Sequence, residues 1–224
     1  MTQTMKILIV AVLLAAVAIL VPHTTSFAVL LTTRAMCFAI LAMSVDLLLG
    51  FTGLSSMGQA AYFGVGAYLT AILATKYHVG LGWDFWLVVI LGMLFGAALA
   101  ALFGLFAMRA SGVYFLMITL ALGQCVWGLA YRWNSLTGGD NGINVSSRPN
   151  FGLDLTNDTT FFLLVFAFFV VSLIVLYILV RSPFGRSLEG IRERELRMQI
   201  LGYNTWLHKY IAFVIAGAFG GLAG

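Results

Sequence analysis

Runs of uninterrupted apolar residues alternate along the chain with short polar joins. The runs cover 7–21, 27–49, 57–75, 85–108, 113–131 and 161–180, and another begins near 210. Inside each run the apolar residues are continuous rather than alternating, which predicts helices and not barrel strands. A helix needs about 20 apolar residues to cross ~30 Å of hydrocarbon. The pattern therefore predicts an all-α membrane protein. It would be a polytopic transmembrane helix bundle with six full spans and part of a seventh, all in one domain over 1–224. The first run, between Lys6 and Pro22, also has the shape of a signal peptide, with Ser26-Phe27-Ala28 as its cleavage site. It reads better as a short span, because the rest of the chain is already held in the membrane. The last run, Tyr210–Gly224, is short for a span and no stop follows it. The chain is thus expected to be the N-terminal part of a longer protein.

Composition and charge sharpen this picture. The chain is 62% hydrophobic and 9% charged, with a mean hydropathy of +1.02. A soluble domain carries about 25% charged residues, so a water-soluble globule is excluded and the lipid bilayer is the medium. The formal charge of +4 is no sign of a nucleic-acid partner. What matters is where the charges fall. Nine of the twenty charged residues lie in Arg181–Lys209, between a charge-free apolar run and a glycine-rich end. Such a patch must be in water, and it is the expected place for a soluble partner to bind. With it in the cytoplasm, Lys6, Arg109, Arg181, Arg186, Arg192, Arg194, Arg197 and Lys209 fall inside. Lys76, Arg132 and Arg148 fall outside, and Arg34 stays within a span. This bias obeys the positive-inside rule. It puts the N-terminus in the cytoplasm and the loop 132–160 on the exterior or periplasmic side.

The charged patch has helical spacing of its own. Ser182-Pro183 breaks the helix ending at Val180, and helical character resumes from about Ser187. Phe184, Leu188, Ile191, Met198 and Leu201 recur at steps of three and four, interrupted at Glu195, as an apolar stripe beside a charged face. Glu189 with Arg192, and Glu193 with Arg197, are spaced to attract. Gly202 suits a C-cap, with Asn204 beyond. A lipid anchor would be mainly basic. Three glutamates among the arginines fit a protein groove better, so 181–209 is expected to be a coupling loop with a docking helix.

Two other regions stand out. Gly50, Gly53, Ser55, Ser56 and Gly58, followed by Gln59, gather without charge at the join of two spans. Two readings stay open there: a short turn with Ser56 as N-cap, or a broken helix lining the translocation path, whose free N–H groups face a carboxylate. Gly92, Gly96, Ala100 and Gly104 follow one another at i+4 and predict close helix packing. Arg34 and Asp46 are intramembrane charges. Twelve residues, about 18 Å of helix, keep them from pairing. Asp46 is near enough to the inner end to reach the interface; Arg34 either snorkels outward or faces the bundle. Cys37 and Cys125 lie in apolar runs, His23, His78 and His208 lack metal spacing, and no site for a metal is expected. No HExxH, GxSxG or GxxxxGK[ST] occurs, so the chain is not expected to be an enzyme, and any ATP is bound by another chain.

Four segments together carry a resemblance. GFTGLSSMGQAAYFGVGAY (50–68), RASGVYFLMITLALGQ (109–124), TGGDNGI (137–143) and RSPFGRSLEGIRERELRMQILGYN (181–204) closely resemble, in this order, branched-chain amino acid ABC transporter permeases of the LivM type. The resemblance runs from about Leu41 to Gly224. It implies an importer permease in the cytoplasmic (inner) membrane of a bacterium. Its implied partners are a second permease subunit, two ATPase subunits and a periplasmic substrate-binding protein. ATP and Mg would sit on the ATPase, with no cofactor on this chain. Phe184–Asn204 matches the cytoplasmic loop that meets the ATPase, related to the EAA loop. This makes Phe184, Gly185, Arg186, Leu188, Ile191, Arg192, Glu193, Glu195 and Gly202 the expected docking set, and Arg192→Glu is expected to weaken ATPase binding. Thr137, Gly138, Gly139, Asp140 and Gly142 belong to the periplasmic loop. The chain departs from the family at Glu193-Arg194-Glu195, where members often read ENE followed by alanines, and at Gln59, which replaces a frequent histidine. Urea and short-amide permeases share these membrane motifs. An ion-coupled secondary transporter acting alone, motivated by Arg34, Asp46 and 50–58, is the reading from another class.

Overall fold

The computed structural model describes residues 14, 16–18, 20–23, 25–77, 84–143 and 157–224. Helix α1 is Ser26–Asp46 and continues as a π-helical turn over Leu47–Thr52. Then come α2 (Gln59–Lys76), α3 (Phe85–Ala107), α4 (Val113–Arg132) and the short α5 (Asn134–Thr137). A 3₁₀ turn at Gly139–Asn141 follows. The chain then runs through α6 (Asp158–Arg181), α7 (Pro183–Glu193), α8 (Glu195–Ile200) and α9 (Thr205–Ala223).

Helix α9 is the centre of the bundle, packed on α3 above all and also on α1 and α2. Small residues make this possible, because without a large side chain two backbones approach closely. A Cβ placed on Gly96 would lie 2.9 Å from Gly221 Cα, and one placed on Gly66 would strike the Gly221 carbonyl. The i+4 stripe on α3 is therefore a packing seam, met by Gly217 and Gly221 of α9. Below it, Phe213 meets Tyr62 and Phe115 edge to face, with ring centroids 5.9 Å apart in both pairs. A second cluster joins α1 to α6 through Val29, Met36, Phe162 and Val165.

Among the described residues, five helical segments are long and apolar enough to cross a membrane: Ser26–Thr52, Phe85–Ala107, Val113–Arg132, Asp158–Arg181 and Thr205–Ala223. The chain is a multi-pass membrane protein. The expected span 7–21 lies mostly outside the described residues. The expected span 57–75 forms α2, which is not among the five. Gln59, Tyr62, Tyr68, Thr70 and Thr75 make it less apolar, and α3 and α9 pack along it. The last run, expected as part of a span, starts earlier than its apolar pattern. Asn204 Oδ1 accepts from Leu207 N–H at 3.1 Å, so the cap sets the start at Thr205 and α9 reaches 19 residues, about 28 Å.

Candidate functional site: a broken helix, a groove and a paired surface helix

The first two helices are joined by a built discontinuity. After Asp46 the α1 ladder widens into the π turn, a feature frequent at functional sites. Thr52 donates its hydroxyl to the Leu47 carbonyl at 2.9 Å, and Leu54 N–H reaches the Leu48 carbonyl at 2.9 Å. Gly53 turns the chain at φ +74°, a conformation that glycine adopts without penalty. Ser56 Oγ then accepts from Gly58 N–H at 3.3 Å. Met57 N–H donates to Thr119 Oγ1 on α4 at 3.2 Å. The N-cap of α2 is Gly58, with no side-chain cap; Ser56 sits too early to cap and closes a local turn instead. Gln59 is buried at 3% exposure, its Oε1 3.4 Å from Ser44 Oγ. Thus Gly50, Gly53, Ser55, Ser56, Gly58 and Gln59 fall in one continuous break that is stitched to α4.

From this break α2 and α4 enclose a cavity of about 750 Å³, within the range of small-molecule sites. Met57, Ala60, Gly64 and Tyr68 line it from the break and α2; Gly123, Gln124, Trp127 and Tyr131 line it from α4. Trp127 and Tyr131 stack with centroids 5.3 Å apart. At the far end the lining includes Thr137, Gly139 and Asp140. Two motifs that the sequence places far apart thus meet at opposite ends of one groove. Three glycines shape the far end: Gly138, Gly139 and Gly142 have φ of +75°, +57° and +67°. Thr137 Oγ1 lies 2.9 Å from the Trp133 carbonyl and accepts from Gly139 N–H at 3.3 Å. Lys76 donates to the Ser135 carbonyl, tying the end of α2 to α5. Asp140 is exposed. The walls are mainly apolar, with Gln124, Tyr68 and Tyr131 as polar exceptions. This suits a small solute with an apolar body and a polar end.

The charged patch folds as two helices, not one. Pro183 occupies the first turn of α7, where its missing N–H costs nothing, and Ser182 Oγ accepts from Gly185 N–H at 3.3 Å. Helix α7 therefore begins before the expected Ser187. At Gly185 a Cβ would strike the Val180 carbonyl, so glycine permits the tight turn from α6. Arg194 breaks the helix at φ −152°. This separates Glu193 from Arg197, and Glu195 Oε2 pairs instead with Lys209 Nζ at 2.7 Å. Gly202 takes φ +88° and Tyr203 N–H reaches the Met198 carbonyl at 3.0 Å, the Schellman closure expected of it.

The expected stripe divides: Leu188 and Ile191 face inward, Phe184 and Met198 are half-buried, and Leu201 is exposed. Leu188 and Ile191 are 0% and 2% exposed, and α7 packs on the π turn and α6. The surface left outside carries Arg186, Glu189, Glu193 and Arg194, then Leu196, Arg197, Ile200 and Leu201 on and just after α8. Leu196 and Ile200 are 75% and 86% exposed. Within the expected docking set, then, Gly185, Leu188 and Ile191 are buried against the chain's own bundle, Phe184 stacks on His208 at 5.7 Å, and Arg186 and Glu193 are exposed. Arg192 turns back to donate to the Gly50 carbonyl.

Arg34 and Asp46 join neither surface. Arg34 is exposed, off the buried face of α1. Asp46 closes α1 beside Tyr177 and Val180, at the end where Arg181 lies 4.5 Å over the Tyr177 ring. Sequence reasoning missed Thr119, the Trp127–Tyr131 wall and the Glu195–Lys209 pair. The first two left a trace, a lone hydroxyl and two aromatics at i, i+4 within an apolar run. Among the described residues no group of three His, Cys, Asp or Glu side chains is placed to hold a metal ion.

Comparison with known proteins gives this geometry a context. Residues 27–224 match the family described as the permease component of branched-chain amino acid transport systems. The high-affinity branched-chain amino acid transport system permease protein LivM of Salmonella typhimurium is 32% identical over 218 residues, 87% of this chain and 50% of that protein. LivM of Escherichia coli is 32% identical over 249 aligned residues, 100% of this chain and 57% of that protein. The chain thus spans about half the length of these curated relatives. No solved structure matches it. The chain belongs to the family of branched-chain amino acid transport permease components.

Proposed function

We propose that this chain is a permease subunit of an ATP-driven importer for branched-chain and other apolar amino acids, and that the solute moves through the groove between α2 and α4. The groove carries this reading. It is apolar along its walls and opens at the glycine turn of 137–142. At its other end lies the start of α2, where unpaired N–H groups and the positive end of the helix dipole favour a carboxylate. An aliphatic side chain and an amino acid head group fit that polarity.

The chain has no ATP motif, so the work arrives through the surface of α7 and α8. Exposed Leu196, Ile200 and Leu201 beside Arg194 and Arg197 fit an apolar cleft with an acidic rim on a soluble ATPase subunit, which holds ATP and Mg. The charged end then faces the cytoplasm of a bacterium and carries the N-terminus with it. The glycine turn faces the periplasm, where a substrate-binding protein delivers solute with most of the affinity. A second permease subunit completes the path. ATP closes the ATPase pair, α7 and α8 move with it, and the groove opens to the other side.

Leucine uptake into proteoliposomes containing all partner subunits tests this. Uptake is expected only with ATP on the α7–α8 side, and excess urea does not compete. Uptake that ignores ATP and collapses with the proton gradient would make the chain a secondary transporter. Competition by urea would move the substrate to short amides.

A further inference from the structure

The break between α1 and α2 and the paired surface helices are joined by one side chain. Arg192, the penultimate residue of α7, donates from Nη1 to the carbonyl oxygen of Gly50. That oxygen lies within the π turn. Among the described residues no backbone N–H of the following turn reaches it; Leu54 N–H goes to Leu48 instead. The next glycine of the break meets the same side chain. A Cβ on Gly53 would lie 2.8 Å from Arg192 Cγ and 3.5 Å from Arg192 Cβ, so the arginine stem lies flat on the αL turn. The residues flanking Arg192 have other tasks. Ile191 is buried and Glu193 is exposed. A charge-assisted bond to a carbonyl freed by a helix irregularity is directional, and it connects segments otherwise held by apolar contact.

We propose that Arg192 is a positioning residue that transmits displacement of α7 to the Gly50–Gly58 break. It would set how many ATP molecules are spent per solute moved, without itself holding the ATPase. This rests on the ATP-driven importer reading above and adds the path by which the work reaches the groove. An arginine facing a partner would lose binding when removed; an arginine facing its own break loses coupling.

The test uses the complete transporter in proteoliposomes, reading ATP hydrolysis, leucine uptake and retained ATPase together. In Arg192→Gln, the ATPase subunits stay bound and hydrolysis stays within about twofold, while uptake falls at least about tenfold. Arg192→Lys, which keeps a cationic donor, recovers part of the uptake. A second variant replaces the bond with a covalent one. In Gly53→Cys with Arg192→Cys the two Cβ positions fall 3.5 Å apart, within the range of a disulfide, and Gly53→Cys alone is the control for the strain of a side chain at φ +74°. Oxidation is expected to lower the ATP spent per leucine towards the wild-type ratio, and reduction to raise it again. Loss of ATPase retention in Arg192→Gln, equal loss of hydrolysis and uptake, unchanged uptake, or a ratio indifferent to oxidation once the disulfide has formed would each overturn the proposal. If wild-type uptake proves independent of ATP, the importer reading itself fails. If it is ATP-dependent and the Arg192 variants stay coupled, only this inference fails.

Discussion

A Cβ on Gly96 would lie 2.6 Å from the carbonyl oxygen of Gly217, so α3 and α9 touch backbone to backbone. No flexible side chain is there to give way. Gly96→Val is therefore expected to separate the two helices and destabilise the bundle by about 3 kcal/mol. Gly64→Ala is the contrast, because its Cβ would meet nothing within 4 Å. That change is expected to be stabilising by about 0.5–1 kcal/mol through reduced backbone entropy. Thermal unfolding of both variants in detergent separates a packing seam from a permissive groove wall.

The inward face of α7 and the outward face of α8 should fail differently. Leu196→Asp with Ile200→Asp is expected to leave the fold intact and lower ATPase retention at least about tenfold, as loss of an apolar anchor does. Leu188→Asp buries a charge against the bundle and should prevent folding. Size-exclusion profiles with pull-down of the ATPase subunits tell the two apart. Equal ATPase retention in the first variant and wild type would remove α8 from the docking surface.

Thr119 holds the start of α2 through the Met57 N–H. Thr119→Val keeps the shape, orphans that donor and is expected to cost about 1–3 kcal/mol, while Thr119→Ser retains the bond. Unfolding in detergent with protease cleavage near residues 53–58 as a second readout checks this. The break should become the first site cut in Thr119→Val alone.

The Glu195–Lys209 pair is partly exposed, so it is worth at most about 1 kcal/mol. Glu195→Lys alone is expected to change stability little and to loosen α8 from α9. The exchange of both charges should restore wild-type protease resistance of 194–204. If single and double exchanges behave alike, the pair has no part in holding α8.

Much of this architecture could be read from local signals. Ser182-Pro183 and Gly202 set helix boundaries within a few residues of themselves, and the structure uses all three at the ends of α7 and α8; Asn204, read only as lying beyond the C-cap, starts α9 instead. The i+4 glycines announced a close crossing because small residues on one face have few other uses in lipid. What local pattern could not reveal was which surface covers which. Leu188 and Ile191 make an apolar stripe whether a partner or the chain's own π turn lies against them, and the structure chooses the latter. Arg192 was spaced to pair with Glu189 yet reaches Gly50, a residue far away in sequence, because the break leaves a carbonyl there. The groove was hidden for the same reason. Its two ends, at 57–60 and 137–140, are brought together only by the packing of α4 along α2.

The most direct test of the central claim, that solute passes between α2 and α4, is thiol modification at Gly64. In a chain carrying Gly64→Cys with Cys37→Ser and Cys125→Ser, a thiol reagent is expected to abolish ATP-driven leucine uptake while the complex stays assembled. Leucine present during turnover should slow the labelling. Complete modification at this position with uptake unchanged would contradict the account.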